Sequence, residues 1–226
     1  MSQRYEPRGL LGRIANSLEE NVIAIILGLM TVITFANVIM RYIFQSSLIW
    51  GLETTLVLFA WLVLIGMSYA VKINSHLGVD AIINILSPSL RRLLALFAGG
   101  ICVIYAVLLL KGAWDYWAPF AGMQQTGGRW FPTGFIETRD RAFYTTEQIP
   151  MPGFLAWMGD AFNQGEAYDK LPRLVPYFAL PLGVALLLFR LLQAMWHIWT
   201  GERQGLIVSH EVEDAIEDIR HLDRGN

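Results

Sequence analysis

The sequence predicts an all-α membrane protein: four transmembrane helices, with a long outer loop bearing a short amphipathic helix before the last of them. Three observations carry this reading. Of 226 residues, 54% are hydrophobic and only 16% charged, against about 25% charged in soluble domains. The apolar residues stand in long uncharged blocks rather than in amphipathic stripes. One connection between blocks is far longer than the others and rich in aromatic residues.

Residues 1–20 form an N-terminal segment holding Arg4, Arg8 and Arg13. Residues 21–40, 54–71 and 93–110 carry no charge, and a fourth block, 174–189, meets Arg190 and then runs uncharged to Gly201. At about 1.5 Å per residue, about 20 residues cross a hydrocarbon core about 30 Å thick. Helices are therefore expected near 21–42, 52–72, 92–112 and 174–198. The stretch 21–110 then holds the first three spans and 174–200 the fourth. The first block is longer than a signal-peptide core and no small-x-small site follows it, so it is expected to remain as an anchor. Small-xxx-small steps at Ala24–Gly28, Gly66–Ala70 and Ala95–Gly99 predict close helix approach. Pro176 and Pro181 predict a kink in the fourth span.

Lysine and arginine set the expected orientation. Arg4, Arg8 and Arg13 precede the first span, Lys72, Arg91 and Arg92 flank the 72–92 loop, and Arg190 and Arg203 follow the last block, whereas the 41–53 connection holds only Arg41. Both termini and the 72–92 loop are expected in the cytoplasm. The 41–53 and 111–173 connections are expected outside. Trp50, Trp114, Trp117, Trp196 and Trp199 stand near span ends, where an aromatic belt belongs.

The outer segment, 111–173, holds 13 aromatic residues and five prolines. Phe154, Trp157, Met158, Ala161 and Phe162 recur at helical spacing, which predicts a short amphipathic helix. That face suits either a helix lying on the outer leaflet or a docking platform for a partner protein. The acidic tail, 201–226, carries a second amphipathic pattern, Val212, Ala215, Ile216, Ile219 and Leu222, expected as a solvated cytoplasmic helix.

Composition excludes several function classes. Seventeen basic against 19 acidic residues leave no excess to neutralise nucleic-acid phosphates. The single cysteine, Cys102, forms no internal disulfide and no cysteine-rich metal site. No paired carboxylates, nucleophile–base pair or phosphate loop stands out, so no enzyme activity and no cofactor are expected. His76 and His197 both fall toward the cytoplasmic side, which keeps a haem-binding four-helix cytochrome as an alternative, beside a stand-alone small carrier. The spans show no internal repeat of the kind on which many carriers are built.

One polar constellation remains. Asn37 and Arg41 share a helix face at i, i+4; Trp50 and Glu53 follow across a short outer turn at i, i+3. Arg41 and Glu53 fall at similar depth, which suits either an ion pair fixing the first hairpin or a contact with another subunit. His76 and Asp80 share a face at i, i+4, as a helix cap or a second contact.

The stretch Asn37-Val38, Arg41-Tyr42, Phe44, Trp50, Glu53, Phe59, Trp61, then His76, Val79 and Asp80, resembles the small permease subunit of TRAP transporters, the DctQ family. The resemblance continues through Pro88-Ser89-Leu90-Arg91-Arg92 and Leu180-Pro181-Leu182-Gly183, covering about 15–112 and 172–205. Ser75-His76-Leu77-Gly78-Val79-Asp80 is most similar to members serving C4-dicarboxylates. The resemblance implies a chain that pairs, in the lipid bilayer, with a large permease subunit carrying the substrate and sodium sites. It also implies a place in the bacterial inner membrane and a periplasmic substrate-binding protein that delivers the substrate. Uptake would be driven by an ion gradient. The expected role is a brace for the large subunit.

Overall fold

The computed structural model describes residues 10–72, 87–136 and 141–200. Helix α1 spans Leu10–Tyr42, α2 Ile49–Lys72 and α3 Pro88–Trp117. A tight 3-10 turn at Ala118–Ala121 closes α3, and Gly122 leaves it in the left-handed conformation at φ 65°, which glycine adopts without penalty. Then come strand β1 (Thr145–Pro150), a 3-10 turn at Gly153–Leu155, and the five-residue helix α4 (Met158–Phe162). Strand β2 (Lys170–Pro172), the short helix α5 (Leu174–Tyr177) and α6 (Ala179–Thr200) complete the described chain.

Four helical stretches are long and apolar enough to cross a membrane: Ser17–Tyr42, Ile49–Lys72, Ser89–Ala121 and Leu174–Thr200. Three threonine hydroxyls in the spans turn back on their own helix. Thr31 donates to the Leu27 carbonyl at 2.9 Å, and Thr54 and Thr55 donate to Trp50 and Gly51, each at 2.8 Å. Lipid offers such groups no partner, so the helix itself supplies one. The last span, expected to kink, is interrupted only at Phe178, which itself keeps helical dihedrals at φ −60° and ψ −22°. Helix α5 ends at Tyr177 and α6 begins at Ala179, so the break falls between Pro176 and Pro181.

The helices form an open row rather than a closed bundle. Helix α1 packs on α2, α2 on α6, and α6 on α3. Helix α6 is the centre: 39% of its most apolar stretch is buried, against 6% for α1. The close approach occurs where α6 meets α2. A Cβ on Gly183 would stand 2.5 Å from the Leu64 Cβ, so only glycine fits there. The small-residue steps expected to do this do not all do so. A Cβ on Gly28 or on Gly66 would meet nothing within 4 Å, so neither marks a close helix approach. Helix α3 is tied to the α5–α6 arm at both ends: Trp117 donates to the Leu174 carbonyl at 2.9 Å, and Arg92 donates to the Trp199 carbonyl.

Residues 118–136 and 141–173 build a cap over one end of the row. Its core is Trp117, Phe120, Ala121, Met158, Tyr168 and Leu174, all buried, with Phe162 packed against them. Tyr168 spends its hydroxyl on the Ala142 carbonyl at 2.7 Å. The strand pair was not foreseen from the sequence. Strands β1 and β2 are antiparallel and are joined at Thr145–Pro172 and Pro150–Lys170, with an irregular bulge between. Five prolines and a short, mixed strand hide the period-two alternation by which strands are recognised.

Candidate functional site

The site is the joint between the first hairpin, the cap and α2. Asn37, near the end of α1, accepts the Leu48 N–H on its Oδ1 at 3.1 Å. Leu48 lies just before α2, where backbone N–H groups have no helical partner. Asn37 thus ties the end of one span to the start of the next. The turn between them carries Gln45 at φ 50°, a strained position for a residue other than glycine.

Glu53 reaches from the beginning of α2 to the cap. Its Oε1 accepts the Glu147 N–H at 3.0 Å and its Oε2 the Gln148 N–H at 2.6 Å. Both donors lie in the β1 bulge, where the ladder to β2 is interrupted. The bulge leaves two adjacent N–H groups without a strand partner, and a two-oxygen acceptor fits them. Lys170 donates to the Glu147 carbonyl on the same segment, and the Arg173 Nε donates to the Thr145 carbonyl at 2.9 Å. Cations from β2 and its end therefore hold the carbonyl side of β1 while the α2 carboxylate holds the N–H side.

The structure does not bring Arg41 and Glu53 together as an ion pair. Arg41 is exposed in the last turn of α1, where a cation suits the helix dipole. Glu53 is occupied by backbone donors that no sequence spacing reveals, since they lie more than 90 residues away in the chain. Trp50 and Trp61 are half-buried on α2. His76 and Asp80 lie outside the described residues.

The aromatic face of the cap divides. Met158 is buried in the cap core and Phe162 packs against it, whereas Phe154 and Trp157 are 79% and 57% exposed. The cause is local: Phe154 sits in a 3-10 turn and α4 begins only at Met158, so the residues do not share one helix face.

A second cluster lies toward the other end of the row. Glu19 on α1 pairs with Lys72 of α2 at 2.6 Å and with Arg190 of α6. Glu20 accepts from the Tyr69 hydroxyl at 2.8 Å, and Arg190 donates to Gln193 at 2.9 Å. Lys72 and Arg190 are 7% and 9% exposed. Arg190 closes the uncharged block 174–189 but lies well inside the span, since α6 continues to Thr200. An arginine inside a span needs a partner, and Glu19 supplies it. The legible signal was Glu19-Glu20 directly before the first uncharged block, matched by single cations in two other helices.

Residues 30–137 match the family described as tripartite ATP-independent periplasmic transporters, DctQ component. A C4-dicarboxylate TRAP transporter small permease protein DctQ of Vibrio cholerae is 45% identical over 210 residues, which is 93% of this chain and 83% of that protein. The protein of the same description from Pseudomonas aeruginosa is 25% identical over 93% of this chain and 96% of its own length. A putative TRAP transporter small permease protein of Haemophilus influenzae is 30% identical over 51% of this chain and 76% of its own.

Proposed function

This chain belongs to the DctQ family of tripartite ATP-independent periplasmic transporters, and from that premise we propose how it serves the transporter. It is a multi-pass membrane protein and the small membrane subunit of a TRAP system for C4-dicarboxylate uptake. A transporter subunit of this kind is not an enzyme class.

Its partners are a large permease subunit, which carries the transport site, and a periplasmic substrate-binding protein. Its place is the bacterial inner membrane, with both termini in the cytoplasm and the cap in the periplasm. The basic residues Lys72, Arg91 and Arg92 around the 72–92 loop support that orientation. The chain divides into a cytoplasmic segment 1–20, three spans within 21–110, a periplasmic loop 111–173, a fourth span 174–200 and a cytoplasmic tail 201–226.

The observation that carries the bracing role is the open row of helices. A closed bundle turns its apolar residues inward, but here α1 and α3 keep large side chains outward, among them Val32, Phe35, Phe97 and Ile104. A row has two broad apolar faces. One meets lipid and the other meets the fixed part of the large subunit, widening its footing in the bilayer. Asn37, Trp50 and Glu53 shape one end of that surface, with Arg41 free to contact the partner, and Trp61 lies midway along α2. His76 and Asp80 are assigned to the cytoplasmic contact. Phe154 and Trp157, exposed on the cap, are assigned to docking the binding protein, while Met158 and Phe162 hold the cap together behind them.

The test is recovery of the tagged chain from native membranes in mild detergent, followed by reconstitution. One large polytopic protein should accompany it in equal amount. Dicarboxylate uptake in liposomes should require both subunits, the binding protein and an ion gradient. Uptake by the small chain on its own would overturn the bracing role.

A further inference from the structure

The first part of the cap folds back along α3 toward the membrane. After the turn at Gly122, the Met123 N–H donates to the Ala118 carbonyl at 2.9 Å. The Gln125 side-chain amide donates to the Asp115 carbonyl at 2.7 Å. Thr126 then donates its N–H and its hydroxyl to the Asp115 carboxylate at 2.6 and 2.7 Å, and accepts from Lys111 at 2.7 Å. The contacts thus step backward down the helix, from 118 to 115 to 111, as the chain advances.

The return strand is equally defined. Gln124 donates to the Gly134 carbonyl at 3.0 Å and Ile136 to the Gly122 carbonyl at 2.8 Å, so 122–136 is a hairpin-like loop. Its tip turns at Gly127 and Gly128, both left-handed at φ 54° and 88°, a pair of positions that favours glycine. Lys111 closes the uncharged block 93–110 of α3 and so marks the edge of the hydrocarbon core. The tip beyond Thr126 therefore lies at that edge. It carries Trp130 and Phe131, 65% and 80% exposed, beside Arg129. An isolated aromatic pair in water gains nothing by exposure. At the headgroup level the same pair meets apolar chains below, and a cation meets phosphates. Further down α3, within its uncharged block, Tyr105 and Leu108 are exposed.

We propose that the 122–136 hairpin is a lipid anchor, seating Trp130 and Phe131 in the headgroup–acyl boundary of the cap-side leaflet, with Arg129 on lipid phosphate. The inference rests on α3 crossing the bilayer and not on the bracing role. It gives the cap a fixed height above the membrane.

The test uses the full chain in vesicles of phosphatidylcholine and phosphatidylglycerol, both by itself and in the complex recovered from membranes. Cys102 is replaced by alanine, and single cysteines are placed by Phe131→Cys, Phe154→Cys or Leu108→Cys, each carrying an environment-sensitive fluorophore. Brominated lipid should remove most of the emission at 131 and 108, while aqueous iodide should remove it at 154. Iodide quenching at 131 equal to that at 154 would overturn the anchor. Shielding at 131 from both quenchers in the complex would overturn it in favour of a protein contact. Loss of lipid quenching at 108 in the isolated chain would overturn the membrane placement of α3, and the anchor with it.

Discussion

In the helix row, large apolar side chains such as Phe35 and Phe97 point outward at 65% and 68% exposure, whereas in the cap Trp117, Phe120 and Met158 are buried around one another. The difference follows from the two solvents. Between helices in lipid, apolar burial contributes little, because the acyl chains are as apolar as leucine. What orders the row is a small set of specific features: Gly183 against Leu64, and Glu19 between Lys72 and Arg190. The cap lies against water, where burying an aromatic side chain stabilises directly. It therefore has a core, and its edge pairs (Trp114 with Trp117, Phe120 with Tyr177) meet at 5.6 and 5.1 Å in edge-to-face geometry.

The comparison predicts distinct failures. The largest effect is expected from Trp117→Ala, which empties the cap core and removes the bond to the Leu174 carbonyl. The cost should be about 4 kcal/mol, seen as protease cutting within the cap while the helices remain protected. Glu19→Ala comes next. It removes the carboxylate that neutralises two nearly buried cations, at about 3 kcal/mol. Helix α1 should then lose its hold on α6, measured as loss of cross-linking between cysteines placed on the two helices. The companion variant Lys72→Met with Glu19→Ala should recover part of the loss.

Gly183→Val should cost about 2 kcal/mol through overpacking against Leu64. It should lower the thermal midpoint of the detergent-solubilised chain without loosening the cap. Glu53→Gln is milder, about 1 kcal/mol, since one of two acceptor oxygens becomes a donor facing an N–H. It should free the β1 bulge for hydrogen exchange at Glu147 and Gln148 and leave the rest of the cap unchanged. The smallest change in stability is expected for Trp157→Ala, within about 0.5 kcal/mol, because the side chain is 57% exposed. If uptake nevertheless falls with that variant, the exposed cap surface carries a partner. If it does not, the docking role assigned there is lost.

Residue order by itself determined the four apolar spans, the break in the last of them and the family of the chain. Each of these is written in contiguous stretches: uncharged blocks of sufficient length, prolines 176 and 181, and motifs such as Leu180-Pro181-Leu182-Gly183. The polar turn residues Asn37 and Glu53 were also legible as a constellation, though their partners were not. Only the tertiary structure decided that Glu53 holds the β1 bulge instead of Arg41, that Gly183 and not Gly28 or Gly66 admits a neighbouring helix, and that Glu19 neutralises Arg190. The open row was decided there too. The physical reason is common to all of them. Within a span every face is apolar, so the sequence holds no amphipathic stripe to say which side meets which neighbour. That choice is made by a few close approaches and hydrogen bonds between residues far apart in the chain, and these exist only once the helices have met.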